Sequence, residues 1–349
     1  MQKTAKRVIT VTMTLVLLLG LIQAPIMAAS QQQEQQEQQE SQMEMVLEYE
    51  SRYDFEETTR RFEENVKEAG WSVVQVFDYQ EILADRGFEI DNIQIFAVCS
   101  GQHSAAILEL DHERMVSPLM PCTISIYEKS DGNTYIAQLN SGEVAQPFGG
   151  VIAETMATVA EETHEMIRDL ILPQQLNRGR QNTNPGWANN KRPLDNPAAA
   201  EALEKNFPHL FMEEAAMEME MILENQSLYD FDETVNRLKD NVADAGWSVV
   251  GEFDYQEILG DKGYEIENIK ILAVCSGEHS AAILQHDDAR MVSPLMPCRI
   301  AVYEKSDGNT YIAQLNSGEV AQPFGGVIAE TMMTVAEETN AIVEDLIQE

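Results

Sequence analysis

The chain repeats itself without a gap. Residues 45–171 align on residues 221–347 at a constant offset of 176, so Trp71 matches Trp247, Cys99 matches Cys275, Cys122 matches Cys298 and Gly150 matches Gly326. An uninterrupted duplication restricts the fold to two like domains, each building a core from the same pattern. Tyr127–Met156 recurs unchanged as Tyr303–Met332. Divergence is uneven: 20 positions differ over residues 45–98 but only 9 over 99–163, which directs the search for a site to the better-kept half.

Each unit opens on alternation, Met43-Glu-Met45-Val-Leu47 and Met219-Glu-Met221-Ile-Leu223, which predicts a strand. Asp54 with Glu57, and Asp230 with Glu233, supply an N-cap and an acid three residues on. The helix they start runs through Phe55, Phe62 and Val66 to a stop at Gly70. A second strand is expected over 71–79, a short helix capped by Asp78 through Ile82 and Leu83, and a third strand over 93–98. Helical turns follow over 104–110. Strands over 122–128 and 134–139 flank Asp131-Gly132, and Asp-Gly between alternating runs signals a hairpin. A closing helix is expected from near Pro147, with Ile152, Met156, Val159, Met166, Ile167 and Leu170 on one face. The order predicts an α+β two-layer sandwich, an antiparallel sheet with helices on one face.

The flanks read differently. Lys3, Lys6 and Arg7 precede an apolar run from Val8 to Ile22 and the small residues Ala28-Ala29, the pattern of a secretory signal peptide. The run is shorter than the roughly 20 residues of a membrane span, so cleavage near Ala28 is expected to leave an exported chain, periplasmic or extracellular, with no stable membrane insertion. An uncleaved anchor is the alternative. The resulting division is a signal peptide at 1–28, a Gln/Glu-rich tether at 29–42, repeats at 43–171 and 217–349, and an Asn-, Pro- and Gly-rich linker at 172–216.

Charge limits the partners. With 59 acidic against 23 basic side chains the net charge is −36, which excludes nucleic acid and argues against anionic lipid, because both demand clustered Lys and Arg.

Ala97-Val-Cys99, Leu119-Met-Pro-Cys122, the preceding Ile82-Leu83 to Gly87-Phe88 stretch and the hairpin after Cys122 resemble the family of domain of unknown function 302. The resemblance covers nearly all of each repeat. Members show Cys-Asn-Pro at the first cysteine, where this chain has Cys99-Ser100-Gly101 and Cys275-Ser276-Gly277. The resemblance implies a β-α-β(4)-α arrangement and, since single-domain members look like dimers, an intramolecular pseudo-dimer of the two repeats. It implies no established activity.

Several readings of the cysteine pairs stand together. They are plain core residues, a structural disulfide favoured by export and an even count, or a soft-metal or thiol-redox site. For the last, Cys99 and Cys122 have His103 and Met120 beside them, and Cys275 and Cys298 have His279 and Met296. Thiolate, imidazole and thioether suit Cu(I), so a soft metal ion is the cofactor class such a set would take. A Cys99–His103 nucleophilic dyad lacks a third orienting group. Two function classes remain: an exported non-enzymatic binding module of unknown ligand, and a thiol-dependent redox protein or enzyme. The cysteines of a pair are expected near one another within a repeat, at the end of one strand and the start of the next.

Overall fold

The computed structural model describes residues 45–175 and 221–348. The signal peptide, the tether and the linker from residue 176 on fall outside the described residues, while residues 172–175, read as linker, continue the first repeat, with Leu172 N donating to Glu50 O at 3.1 Å. In the first repeat β1 (Val46–Glu50) is followed by α1 (Phe55–Glu68), β2 (Ser72–Asp78), α2 (Tyr79–Ala84), β3 (Ile93–Cys99) and α3 (Gly101–Leu108). A 3-10 segment (Glu113–Leu119) then leads into β4 (Cys122–Glu128), β5 (Thr134–Leu139), α4 (Ser141–Val144) and α5 (Gly150–Ile167). The second repeat gives β6 (Ile222–Gln226), α6 (Phe231–Asp244), β7 (Ser248–Asp254), α7 (Tyr255–Gly260), β8 (Ile269–Cys275) and α8 (Gly277–Leu284). Its own 3-10 segment (Asp287–Leu295) precedes β9 (Cys298–Glu304), β10 (Thr310–Leu315), α9 (Ser317–Ala321) and α10 (Gly326–Val343).

Each sheet has five antiparallel strands, in the order β1-β5-β4-β3-β2 and β6-β10-β9-β8-β7. The expected α+β class, with two tandem copies of one antiparallel unit, is what the chain forms. Local chemistry sets the ends. Asp54 Oδ1 accepts from the Glu57 amide at 2.9 Å and Asp78 Oδ1 from the Glu81 amide at 3.1 Å, so both caps act as read. The closing helix begins three residues later than Pro147. Pro147 lies in a 3-10 turn, and Gly149 and Gly150, at φ 62° and 49°, turn the chain into the helix through a region side chains avoid. Among the described residues the first strand runs over 46–50, past the expected end at 47, because Tyr49 and Glu50 continue the pairing with Ile136 and Tyr135; the expected start at 43 lies outside the described residues. Among the described residues no helix is long and apolar enough to cross a membrane.

The two faces of each sheet have different jobs. In the first repeat Phe96, Val98, Ile124, Ile126 and Ile136 pack outward under Phe62 and Val66 of α1 and Val159 and Ile167 of α5. The other face, carrying Ile93, Ile95, Ala97 and Tyr127, merges with Ile269, Ile271, Ala273 and Tyr303 into one core shared by both repeats. Both copies lie in one compact unit. They are therefore an intramolecular pseudo-dimer, in which each repeat closes the sheet face that a lone two-layer sandwich leaves to water.

Polar clasps fix that junction. Arg114 Nη1 donates to Glu304 O at 2.7 Å, and Arg290 Nη1 donates reciprocally to Glu128 O. Asp111 accepts from the amide and hydroxyl of Ser306, and Asp287 from those of Ser130. Each β-hairpin turn is thus held by the 3-10 segment of the other copy.

Candidate functional site

The cysteines sit where β3 ends and β4 begins, as the strand order suggested. In the β3–β4 ladder Val98 lies opposite Cys122, so these two project to the same face and Cys99, one residue on, projects to the other. Cys99 belongs to the shared inner core, whereas Cys122 packs with the outer cluster. The pair are backbone neighbours whose side chains diverge, a geometry that cannot close a disulfide or converge on one metal ion. All four cysteines are free thiols. Among the described residues no group of three or more His, Cys, Asp and Glu side chains is placed to hold a metal. Met120 and Met296 are buried in the shared core, each preceding a cis proline peptide.

The thiols are also electrostatically quiet. Burial pushes Cys122 and Cys298 up to about 12, with the neighbouring cysteine adding to the rise and Arg299 opposing it. Cys275 is raised too, by burial, against the hydrogen bond it shares with Ser280 at 3.3 Å. Both Cys122 and Cys298 keep some accessible surface because each lines a small cavity, yet the atoms around them exclude bulk water. Native alkylation at pH 8 is therefore expected to be about a thousandfold slower at Cys122 and Cys298 than in the unfolded chain, three pK units lowering the thiolate fraction by that factor. Four thiols should titrate once the protein is denatured without reductant. Fewer than four, or rapid labelling of the native protein, would contradict this assignment.

His103 has gone elsewhere. Its Nε2 lies 3.0 Å from Glu162 Oε2 on α5, and the same carboxylate oxygen accepts from Trp71 Nε1 at 2.8 Å. The imidazole leans against the indole with ring centroids 5.8 Å apart. His279, Glu338 and Trp247 repeat the arrangement at 3.0, 2.7 and 6.0 Å. One carboxylate thus orients both rings, and with Nε2–H given to Glu162 the His103 Nδ1 makes no hydrogen bond among the described residues.

The arrangement opens on a polar cleft of about 490 Å³, and its far wall comes from the other repeat as Lys262 and Tyr264. Lys262 passes so close to the start of α3 that a Cβ on Gly101 would lie 2.4 Å from its Cδ. In the second copy Arg86 takes this place over Gly277, at 2.2 Å, and donates to Ser248 Oγ. Glycine at 101 and 277 is what lets the basic side chain across.

Of the eight residues singled out in the sequence, His103 lines this cleft, and His279 holds the matching place against Glu338 and Trp247. Glu162, Glu338, Lys262 and Arg86 were not read, because the helix pattern places the acids on a solvated face and the bases come from the opposite copy. The available signal was that Trp71, His103 and Glu162 all recur, and that position 86 keeps its charge as lysine at 262.

The model for the domain of unknown function DUF302 matches twice, at residues 47–172 and 223–349. A crystal structure of an uncharacterized conserved DUF302 protein from Bacillus stearothermophilus is 21% identical, covers 36% of this chain and 98% of its own, and superposes with a TM-score of 0.34. Among curated proteins none matches the chain.

Proposed function

We propose, on the premise that this chain belongs to the DUF302 family in two tandem copies, that it is an exported, non-enzymatic binding module whose two clefts each take one small anionic molecule. The observation that carries the reading is the cross-repeat completion of each cleft. A Glu-anchored His–Trp pair from one copy faces a single cation from the other, Lys262 in one case and Arg86 in the other. In a chain of net charge −36 a basic side chain laid across the mouth of a cleft gives a local positive point. An anionic molecule would be held through its charge by that cation, and a hydroxyl or amino group it carries would donate to the imidazole Nδ1, Nε2–H being committed to the carboxylate, with the indole limiting the cleft wall. Export rests on the charged start, the apolar run and Ala28-Ala29.

The test is titration of the whole chain with a panel of small carboxylates and phosphates, read by indole fluorescence and native mass spectrometry. Two equivalents per chain are expected. Lys262→Ala should weaken one site and Arg86→Ala the other, each by about tenfold or more, as expected for loss of a charge-assisted contact. Absence of binding across the panel, or affinities that both variants leave unchanged, would sink the proposal. Intact mass of the protein from its native host tests export separately, a full-length membrane-retained chain being the adverse result.

A further inference from the structure

At one place in the middle of their junction the two copies differ by a charge. Position 123 is threonine, and its hydroxyl donates to Pro294 O in the other repeat. Its counterpart is Arg299, 8% exposed, whose Nη1 donates to Pro121 O at 2.7 Å. That is the one hydrogen bond the guanidinium makes among the described residues, and no carboxylate there pairs with it. A guanidinium has five N–H donors and stays charged. Sealing it without a counter-charge is costly. The nearby thiols do not supply one, being protonated at neutral pH.

Arg299 lines two small cavities of about 20 Å³ each, room for one water-sized particle. The cavity of the second repeat also has Cys298, Gln314 and Ser317 in its wall. Ser317 Oγ and Gln314 Oε1 are buried, 4% exposed as residues, and have no hydrogen-bond partner. Gln314 Nε2 donates to Asn340 Oδ1 at 2.6 Å. Exchanging oxygen and nitrogen in both amides keeps this bond and turns the Gln314 amino group into the cavity, because the two orientations share heavy-atom positions. The wall then offers a donor from each of four groups, guanidinium, hydroxyl, amide and thiol. Asn340 is itself specific to this copy, its counterpart being His164. One of the differences between the copies thus lines this cavity and another hydrogen-bonds a residue of its wall.

We propose that this cavity is a binding site for a single halide ion, chloride in practice, held by Arg299, Ser317, Gln314 and Cys298 at the junction of the two repeats. Its volume excludes polyatomic anions, and its position makes the ion part of the clasp between the copies. It is independent of the clefts described above, which lie beyond α3 and α8.

The experiment compares thermal melts of the whole chain in sodium chloride, sodium bromide and sodium gluconate at equal ionic strength, so that screening of the acidic surface is common to all. Chloride and bromide should raise Tm over gluconate by about 2–4 °C at roughly ten times the dissociation constant. Crystals grown in bromide should show an anomalous peak beside Arg299. Arg299→Thr, which restores the residue of the other copy, should remove both signals, and Ser317→Ala should weaken them if the first variant fails to fold. Equal melting in chloride and gluconate, no bromide peak in the cavity, or an undiminished halide effect in the variants would overturn the site and leave ordered water as the occupant.

Discussion

Arg290→Ala is expected to lower the free energy of unfolding by about 3–5 kcal/mol, and Arg114→Ala by about 2–3 kcal/mol. Both side chains are almost fully buried, at 4% exposure. Each donates to a carbonyl in its own copy, Arg290 to Leu284 O and Arg114 to Leu108 O, and to a hairpin carbonyl in the other. Truncation leaves those carbonyls unpaired away from water, which is the larger part of the cost. The two differ because Arg290 has a second acid. It pairs with Asp287 at 3.0 Å and with Asp91 of the other copy at 2.8 Å, whereas Arg114 has Asp111 alone. Urea denaturation of the two variants measures the difference; equal small losses would show that the clasps contribute little.

The same clasps set an acid limit. Asp111 and Asp287 are held below the usual carboxylate range, first by the hydroxyls of Ser306 and Ser130, with burial opposing and the serine amides and Arg114 or Arg290 assisting. A depressed folded pKa means the stabilisation is complete above the unfolded carboxyl value and is lost as pH falls through the folded one. The junction should therefore weaken on acidification below about pH 4, and Asp111→Asn with Asp287→Asn should flatten that slope in urea midpoints measured across pH.

Much of this architecture was legible because local signals and tertiary packing agree. Asp131-Gly132 between alternating runs places the hairpin, and β4 and β5 occupy residues 122–128 and 134–139 as read. The caps at Asp54 and Asp78 are equally local. The cysteine site was not legible for a reason of parity. Which sheet face a thiol takes depends on the register that sets Val98 against Cys122, and that register is a property of the assembled ladder. The cleft was harder still, since Lys262 and Arg86 reach it only through the packing of one copy on the other. A helix pattern marks Glu162 as solvated, and at 41% side-chain exposure it largely is, while one oxygen still anchors two rings.

An isolated first repeat, residues 45–175, is expected to form a homodimer through the face it now presents to the second. That face carries Ile93, Ile95, Ala97 and Tyr127, too much apolar surface for a stable monomer to expose. The self-pairing would also satisfy an atom the fused protein leaves unpaired. Ser293 Oγ donates to Ser125 Oγ across the junction at 2.7 Å, but the matching Ser117 meets a copy in which position 125 has become Ala301, and its hydroxyl has no partner. In a dimer of first repeats each Ser117 would face a Ser125. The isolated second repeat should behave oppositely. Its self-pairing sets two Arg299 guanidinium groups at one buried locus, where the fused chain has one opposite Thr123. Like charges sealed together cost several kcal/mol, so its dimer should be at least about a hundredfold weaker. Arg299→Thr should restore it to the affinity of the first repeat. Sedimentation equilibrium of the three single-repeat proteins decides the matter, and a tight dimer of the unaltered second repeat would show that Arg299 is not confined between the copies.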